Sequence, residues 1–283
     1  MTSKKDQRID PKTDRKIDNS GGIDLELAGA IALVAFNRPK RRNALDMPTR
    51  ARLANVIDQV TSDESVRVIV LTGRGAHFCA GGDLTSMESA EGMSAEAGRR
   101  RMRNALRVVE RLYRCDKLVV AAVEGCAYGG GFGLALLADM IVASETARFC
   151  MSFAKIGLVP DSASLYTLPR IVGVQRAKEL MLSGREIDAA TALDYGIAME
   201  VVGEGAALER AMEIARALAG ASPAASGLAK TALNNSLSSD FRTMLEFEAA
   251  AQGLAFASEY HRGAVKDFLA KRAPPFAWAA KAR

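Results

Sequence analysis

The chain has few of the residues from which metal centres and histidine-based triads are built. Its 283 residues include two histidines, His77 and His261, and four widely spaced cysteines without a CxxC pair. Three of the cysteines lie in apolar stretches, where a small buried hydrophobic side chain is the ordinary role. We therefore expect no metal site, no histidine-dependent triad and a reduced, cytoplasmic protein.

Long apolar runs are also missing. No run approaches the roughly 20 residues that a membrane-spanning helix requires, so we expect no membrane partner. The N-terminal stretch MTSKKDQRIDPKTDRKIDNSGG is mostly charged or polar and lacks the apolar centre of an export signal. For residues 1–21 we predict a disordered lead. The remaining composition, 49% hydrophobic and 25% charged, is typical of a globular protein, and the net charge of +5 favours an anionic ligand.

Strand and helix patterns alternate through the first two thirds of the chain. Residues 23–39 predict a hairpin broken at Ala28–Gly29, and apolar residues spaced by three and four then predict a helix. VRVIVLTGRG and LVVAAVEG are typical of buried strands, residues 99–114 predict a helix, and the polar stretch up to about residue 98 predicts a mobile loop. From about Ser162 the pattern is mainly helical. We predict an α/β core over residues 22–220 and a helical C-terminal region over 221–283.

Two glycine-rich turns share one design. VRVIVLTGRGAHFCAGGDL and LVVAAVEGCAYGGGFGL each run from a buried strand into glycines, and the second continues into an apolar helix. Glycine lets backbone N–H groups approach a ligand closely, and a helix N-terminus adds unpaired donors. Two such turns brought together would bind one oxygen as an oxyanion hole. The alternative is that the glycines only permit tight packing of strands and helices.

Five segments, in order along residues 22–275, together resemble the enoyl-CoA hydratase/isomerase (crotonase) superfamily. They are NRPKRRNALD, VIVLTGRGAHFCAGGDL, VVAAVEGCAYGGGFGLALLADM, GLVPDSASLYTLPRIVG and AKELMLSGREIDAATALDYGIAMEVV. The resemblance implies an α/β fold, the crotonase (ClpP-like) spiral of ββα units with a C-terminal helical trimerisation region. It also implies a homotrimer or hexamer and an acyl-CoA thioester substrate. No separate cofactor is expected, because coenzyme A is part of the substrate.

The same resemblance assigns roles to particular residues. The backbone N–H groups of Gly82 and Gly130 would hold the thioester oxygen. Substrate or CoA contacts are assigned to basic residues and to residues of the two turns and their neighbourhood: Lys40, Arg41, Arg42, Ala44, Ala80, Gly81, Asp83, Leu84, Gly129, Phe153, Lys271 and Arg272. Any one of Lys40, Arg41 and Arg42 could equally be a solvated surface residue. Asp83 matches a position that is usually structural in the family.

The chain departs from the classical hydratases at the two glutamates that activate water. The matching positions hold Gly133 and Phe153, and neither transfers a proton. Asp161 in GLVPDSAS matches the catalytic aspartate of some isomerases and of the 4-chlorobenzoyl-CoA dehalogenase; alternatively, it is a helix N-cap. Residues 99–114 lack the histidine of that dehalogenase. We expect an enoyl-CoA isomerase of the Δ3/Δ2 type with Asp161 as acid and base, and keep a hydratase with non-standard acids as the alternative.

A function of another class is also open. Seven arginines load the predicted helix over 99–114, and a relative within the superfamily binds RNA through a basic helix. The same pattern fits the solvent face of an amphipathic helix above an acyl pocket, so we expect no nucleic-acid partner. A catalytically inactive CoA-ester-binding homologue is the remaining alternative. His77 is expected to be a loop residue rather than a base, and Asp139 to be structural.

Overall fold

A mostly parallel seven-stranded sheet forms the centre of the protein, in a computed structural model that describes residues 15–17, 21–85 and 93–280. Its spatial order is β1 (Arg15–Ile17), β2 (Ile23–Ala28), β3 (Ile31–Phe36), β4 (Val68–Gly73), β5 (Leu118–Val123), β7 (Met140–Ser144) and β10 (Glu200–Val202). A three-stranded sheet holds β6 (Cys126–Tyr128), β8 (Arg148–Cys150) and β9 (Glu186–Asp188). From β3 onward the large sheet is parallel, while β1, β2 and β3 pair antiparallel.

Helices cover both faces of the large sheet, which is why all six residues of β3 are buried. They are α1 (Met47–Ser62), α2 (Ala95–Arg114), α3 (Gly130–Ala135), α4 (Ser164–Val172), α5 (Val174–Ser183), α6 (Ala189–Asp194), α7 (Ala207–Ala219), α8 (Pro223–Ser236), α9 (Phe241–Phe256) and α10 (Glu259–Leu269). Short 3₁₀ helices span Pro39–Arg41 and Ser152–Ile156. The larger apolar core lies under α1, α2 and α3, and a smaller core lies between the sheet and α7.

Several sequence expectations need correction. Residues 15–17 form β1 against β2, so the predicted disordered lead does not hold there; residues 1–14 and 18–20 lie outside the described residues. Helix α2 begins at Ala95, because the Ser94 side chain accepts a hydrogen bond from the N–H of Ala97, so the end of the predicted loop is helical. Residues 86–92 of that loop also lie outside the described residues. The mainly helical last third contains the two short strands β9 and β10.

The C-terminal helices differ from the rest in burial. No residue of α9 or α10 is buried, whereas α8 buries Gly227 and Lys230. Helix α8 is therefore packed on the core, and α9 and α10 extend beyond it. In the described part of the chain, no helix has the length and apolar character needed to cross a membrane.

Backbone contacts bring the two glycine-rich turns together. The N–H of Cys79 donates to the carbonyl of Cys126 at 3.0 Å, and the N–H of Tyr128 donates to the carbonyl of Cys79 at 2.9 Å. A Cβ added to Gly131 would lie 2.2 Å from the Cys79 carbonyl oxygen. The glycine therefore allows α3 to start directly against the first turn.

A buried ion pair connects α8 to the sheet. Lys230 Nζ donates to Asp139 Oδ2 at 2.9 Å and to the carbonyl of Lys117 at 2.8 Å. The Lys230 side chain is 3% exposed and that of Asp139 is 20% exposed. Asp139 Oδ2 also accepts from the N–H of Val119. Burial raises the pKa of Asp139, and the Lys230 charge opposes that rise. As expected from the sequence, Asp139 has a structural role.

Substitution of Gly131 by alanine tests the packing of the two turns. The new methyl group meets backbone that cannot rotate away, so Gly131→Ala should lower the free energy of unfolding by about 3 kcal/mol. The measurement is the urea midpoint with its slope. Gly203→Ala is the matched control, because a Cβ there has no neighbouring atom within 4 Å. Equal midpoints for the two variants would contradict the packing.

Because of the Lys230–Asp139 pair, removal of the Lys230 charge should lower the free energy of unfolding by an amount that depends on pH. Because its folded pKa is raised, Asp139 binds a proton more readily in the folded than in the unfolded state, and stability falls as pH rises between the two pKa values. Lys230→Met should raise that pKa further. We expect the free energy of unfolding to fall by about 2 kcal/mol at pH 8 and by less at pH 5. The figure for pH 8 is already reduced because the Asp139 side chain is partly exposed.

Denaturant titrations at both pH values measure this difference. The control is Lys230→Met with Asp139→Asn, in which the pH dependence of the loss should disappear. A loss from Lys230→Met that is the same at pH 5 and pH 8 would exclude Asp139 as its cause.

Candidate active site

In the first turn, the backbone N–H of Gly82 is free of described partners. Leu45 donates to the carbonyl of Gly81 at 2.8 Å and accepts from the N–H of Asp83 at 3.1 Å, which is the pattern of a parallel bridge between Leu45 and Gly82. In such a bridge the N–H of Gly82 points away from Leu45. It donates to no other described residue, whereas the N–H of Gly81 donates to Cys79 Sγ at 3.4 Å.

The second turn leaves another N–H free. Gly130 is the first residue of α3, and the first N–H groups of a helix have no partner within it. The Gly130 N–H donates to no described residue, while the N–H of Gly129 donates to the carbonyl of Cys150 at 2.8 Å. Gly129 reaches this position with φ +51° and ψ −122°, a conformation nearly restricted to glycine.

The two free N–H groups belong to turns that are in contact. A Cβ on Gly81 would lie 3.2 Å from the nitrogen of Gly130 and 2.7 Å from the carbonyl oxygen of Tyr128. Burial raises the pKa of the Cys79 thiol to about 12, so the sulfur beside the turn stays neutral at physiological pH. The arrangement offers uncharged backbone donors to an oxygen that gains negative charge.

Asp161 lies directly beside the second turn. Its Oδ1 is 3.4 Å from the position that a Cβ of Gly130 would take. The side chain is half-buried and makes no ion pair with a described residue. It does not cap α4: the N-cap is Ala163, without a side-chain hydrogen bond, and only the Asp161 backbone carbonyl accepts from the N–H of Ser164. The alternative role as an N-cap is therefore wrong.

Gly133 and Phe153, the two positions that match the hydratase glutamates, have different surroundings. A Cβ on Gly133 would lie 2.6 Å from Ser162 Cβ, so the space for a side chain there is already filled. Phe153 is 6% exposed, and its ring lies 3.8 Å from the Cβ position of Gly129. It forms an apolar floor below the second turn.

A cavity of about 370 Å³ leads to Asp161 between α1 and α2. Mainly apolar residues line it, and Leu134 and Leu158 are among them together with Asp161 and Ser162. Arg101 contributes from α2. A second cavity, of about 670 Å³ between α2, α4 and α8, reaches Asp161 and Ser162 from the other side. An acyl group could therefore lie beside the carboxylate and remain largely out of water.

The predicted CoA-binding residues fall into two places. Lys40, Arg41 and Arg42 are exposed, and the carbonyl of Arg42 accepts from the N–H of Ala80 at 2.9 Å, which joins this basic segment to the first turn. Ala44 and Leu84 flank the same segment and turn, and Leu84 is 56% exposed.

The other place is the end of α10. Lys271 and Arg272 lie there, exposed, and Arg272 is paired with Asp267. Within the described residues, no hydrogen bond or ion pair connects Lys271 or Arg272 to either turn. The structure of one chain thus brings the first basic segment to the site and leaves the C-terminal pair apart from it.

Asp83 has its carboxylate engaged by the scaffold. Its oxygens accept from Thr85 and from Arg38 Nη1 at 3.1 Å, and these hydrogen bonds, that of Thr85 first, lower its pKa. Arg38 also pairs with Asp46, the N-cap of α1. Asp83 therefore ties the end of the first turn to the start of α1.

Two further titratable residues are near the turns. Glu124 accepts from the N–H groups of Gly205 and Ala207, at the start of α7. His77 Nδ1 accepts from the N–H of Cys126 at 3.3 Å; burial lowers the pKa of His77, and the Arg42 charge lowers it further. Both side chains therefore accept hydrogen bonds from backbone N–H groups and stabilise the main chain there. No cluster of three His, Cys, Asp or Glu side chains suited to a metal ion occurs among the described residues.

Left-handed backbone marks the same places. Among the described residues, five non-glycine residues have positive φ: Arg42, Asn43, Ser162, Ala163 and Lys271. Each belongs to a predicted substrate segment or directly follows Asp161. Strained backbone of this kind costs about 1–3 kcal/mol per residue and concentrates at functional sites.

The arginines of α2 have mixed environments. Arg111 bonds to Thr61 and Ser62 of α1, Arg114 pairs with Glu110, and Arg101 lines the smaller cavity. The placement of α2 beside a cavity agrees with the expected amphipathic helix above an acyl pocket. Sequence reasoning missed the role of α1 as the other wall of that cavity, although the apolar spacing on α1 was visible. It also missed the contact of Ser162 with Gly133, for which no sequence signal exists.

Sequence comparisons match nearly the whole length of the chain to known proteins. A family model described as enoyl-CoA hydratase/isomerase matches residues 26–278. The chain is 38% identical over 253 residues to the 1,2-epoxyphenylacetyl-CoA isomerase of Escherichia coli K12, covering 87% of this chain and 94% of that protein. It is 35% identical over 251 residues to the short-chain-enoyl-CoA hydratase of Clostridium acetobutylicum, covering 88% and 95% respectively.

The fold is shared with solved structures. An enoyl-CoA hydratase/isomerase from Cupriavidus metallidurans CH34 superposes with a TM-score of 0.89 at 40% identity, over 94% of this chain and 100% of that one. The predicted crotonase fold is thus confirmed. Since the family model spans most of the chain and both relatives agree with it, the protein belongs to the enoyl-CoA hydratase/isomerase family.

Proposed function

We propose that this enzyme is an enoyl-CoA isomerase that converts a 3-enoyl-CoA into a 2-enoyl-CoA. The observation that carries the proposal is the Asp161 carboxylate, which lies beside Gly130 without acting as a helix cap or an ion-pair partner. The two positions that would supply a hydratase with its acids hold Gly133 and Phe153. One carboxylate beside the two turns, among the described residues, supports a reaction that needs one proton-transfer group.

In the proposed mechanism, the N–H groups of Gly82 and Gly130 donate to the thioester oxygen. Asp161 removes a proton from C2, and the electron pair moves through the thioester to give a dienolate with its charge on that oxygen. Asp161 then returns the proton to C4, so that the C3=C4 double bond becomes C2=C3. Donors of this kind each contribute roughly 3–4 kcal/mol to transition-state stabilisation.

Hydration is the second candidate, because one relative at 35% identity is a short-chain-enoyl-CoA hydratase. Addition of water across a double bond needs a base for the water and an acid for C2. Asp161 could serve as one of these groups, and a further acid would be required. Among the described residues, Asp161 is the carboxylate next to Gly130, and Glu110 in the larger cavity is paired with Arg114. This arrangement favours isomerisation.

The basic segment Lys40–Arg42 is our proposed contact for the phosphates of CoA. It is exposed, carries three positive charges, and is hydrogen-bonded to the first turn through Ala80. Lys271 and Arg272 would join it only from a neighbouring subunit. Coenzyme A enters as part of the substrate, and the proposed chemistry uses no separate cofactor.

We also propose that the chain forms a homotrimer or hexamer. Large apolar side chains on α8, α9 and α10 are exposed in the single chain, including Leu233 at 72%, Phe241 at 80% and Phe268 at 80%. Many large apolar side chains exposed on neighbouring helices are usual where a protein–protein interface forms. Association would bury it.

The proposed chemistry predicts the fate of a 3-enoyl-CoA in D₂O. The native enzyme should form the 2-enoyl-CoA, with deuterium at C4 where the proton on Asp161 exchanges with solvent before its return. Asp161→Asn removes the base but keeps the size of the side chain, so kcat should fall by at least about 10³-fold. Mass spectrometry and NMR of the product measure both effects.

Glu124→Gln is the matched control, since Glu124 bonds only to backbone at the start of α7, and it should retain kcat within about threefold. A native enzyme that hydrates a 2-enoyl-CoA but leaves every 3-enoyl-CoA unchanged would replace isomerisation by hydration. Binding of acyl-CoA without turnover, unaltered by Asp161→Asn, would indicate an inactive homologue.

The oligomer predicts a mass in solution. Sedimentation equilibrium should give three or six times the chain mass of 30.1 kDa, and Phe241→Asp should shift the population toward smaller species, because a charge would be buried in the interface. Leu182→Asp, which introduces the same charge at an exposed apolar residue of α5, outside the proposed interface, is the control. A monomer at micromolar concentration would contradict the proposal.

A further inference from the structure

Ser162 contacts both the proposed acid–base residue and the second glycine turn. Its Oγ donates a hydrogen bond to Asp161 Oδ1 at 2.9 Å. The same Oγ is 3.3 Å from the position that a Cβ of Gly130 would take, and Asp161 Oδ1 is 3.4 Å from it. The hydroxyl and one carboxylate oxygen therefore lie side by side against Gly130.

The side chain of Ser162 is held from behind by α3. Its Cβ lies 2.6 Å from the Cβ position of Gly133, and its carbonyl oxygen lies 3.1 Å from that position. A hydrogen atom at residue 133 is thus the largest substituent that the present path of residues 161–162 accommodates. The contact fixes how far Ser162 can move toward the helix.

The backbone conformation also directs the two side chains. Ser162 and Ala163 have φ values of 55° and 61°, which is unfavourable for residues with a Cβ. The segment keeps this path because the carbonyl of Asp161 accepts from the N–H of Ser164, and that of Ala163 accepts from Tyr166 and Thr167. Rigid support on both sides of Ser162 is what allows one hydrogen bond to set the orientation of the carboxylate.

We infer that Ser162 is a positioning residue for Asp161. Its hydroxyl donates a hydrogen bond to Oδ1 of Asp161. Oδ2 is then the oxygen that takes the proton from the substrate and returns it. The contact with Gly133 keeps that hydroxyl against Gly130. This inference rests on the proposed isomerase function, and it identifies the feature that gives Asp161 one fixed direction.

The kinetic test removes the hydroxyl and keeps the Cβ. Ser162→Ala should lower kcat for 3-hexenoyl-CoA isomerisation by about 10- to 100-fold, the loss expected for a misdirected catalytic group, while KM changes by less than about threefold. Ser164→Ala is the matched control, because the buried Oγ of Ser164 has no hydrogen-bond partner among the described residues. It should retain kcat within about twofold.

Two outcomes would overturn the inference. One is a kcat for Ser162→Ala that matches that of Ser164→Ala. The other is a fall in kcat for Ser162→Ala that is accompanied by a clear rise in KM and a clear fall in the urea midpoint. That pattern indicates a general disturbance of the fold. A fall in kcat alone, with the urea midpoint unchanged, supports it.

A structural test separates this inference from the proposed function. Crystal structures of Ser162→Ala and of the native protein should differ in the side-chain rotamer of Asp161, whatever reaction the enzyme catalyses. An unchanged rotamer overturns the positioning role even if isomerase activity is found. Conversely, a native enzyme that is inactive on 3-enoyl-CoA sinks the proposed function, while a changed rotamer still supports the control of Asp161 by Ser162.

The steric part is tested by a double-mutant cycle. Gly133→Ala should lower the urea midpoint strongly in the native background and much less when combined with Ser162→Gly, because the glycine removes the Cβ that is 2.6 Å away. Equal effects in the two backgrounds would show that Ser162 is not held against α3.

Discussion

The approach of two backbones without intervening side chains is the contact on which the candidate site depends. Gly81 faces the carbonyl of Tyr128, and Gly131 faces the carbonyl of Cys79. Any Cβ at either position would separate the turns. At this separation the N–H groups of Gly81 and Gly129 donate to Cys79 Sγ and to the carbonyl of Cys150, and those of Gly82 and Gly130 remain free of described partners. Each free donor thus directly follows an N–H group that the protein satisfies.

The strained segments depend on the stability of what surrounds them. Ser162 and Ala163 follow Asp161 in left-handed conformations, and Arg42 and Asn43 do the same beside the first turn. Asn43 shows how such a conformation is held: it is 1% exposed, and its side-chain amide donates to the carbonyls of Arg74 and His77. A buried network of this kind offsets the cost of the backbone and prevents relaxation. Rigidity at the site is therefore supplied by the core beneath it.

How much could be predicted from the sequence depended on the range of the interactions concerned. Apolar spacing within a segment is a local signal, and it predicted the β2–β3 hairpin, α1 and most helices of the last third. Strands β9 and β10 have three residues each and owe their conformation to distant partners, so no local pattern marked them. The Lys230–Asp139 pair spans 91 positions and could not be inferred from either residue alone.

The candidate site shows the same division. The glycines of both turns and Asp161 stood out because residue type and motif order carry that information directly. The role inferred for Ser162 was not visible, because it arises from a φ angle and from the close contact of Ser162 with Gly133. The alternative of an N-cap for Asp161 was reasonable for a residue ahead of a helix, and it failed because the left-handed pair places Ala163 at the cap.

Backbone donors and side-chain acids have different consequences for the reaction. The N–H groups of Gly82 and Gly130 depend on the path of the chain, so relatives that share the fold can share them whatever their side chains are. Two relatives of similar identity, 38% and 35%, bear the names of an isomerase and a hydratase, so overall identity does not distinguish the reactions. Proton transfer requires a side chain in a definite place, and here Ser162 fills the space at Gly133 while the adjacent Asp161 places Oδ1 beside Gly130. If, as proposed, the backbone supplies the oxyanion contacts, the choice of reaction depends on which carboxylate the neighbouring loop holds beside them.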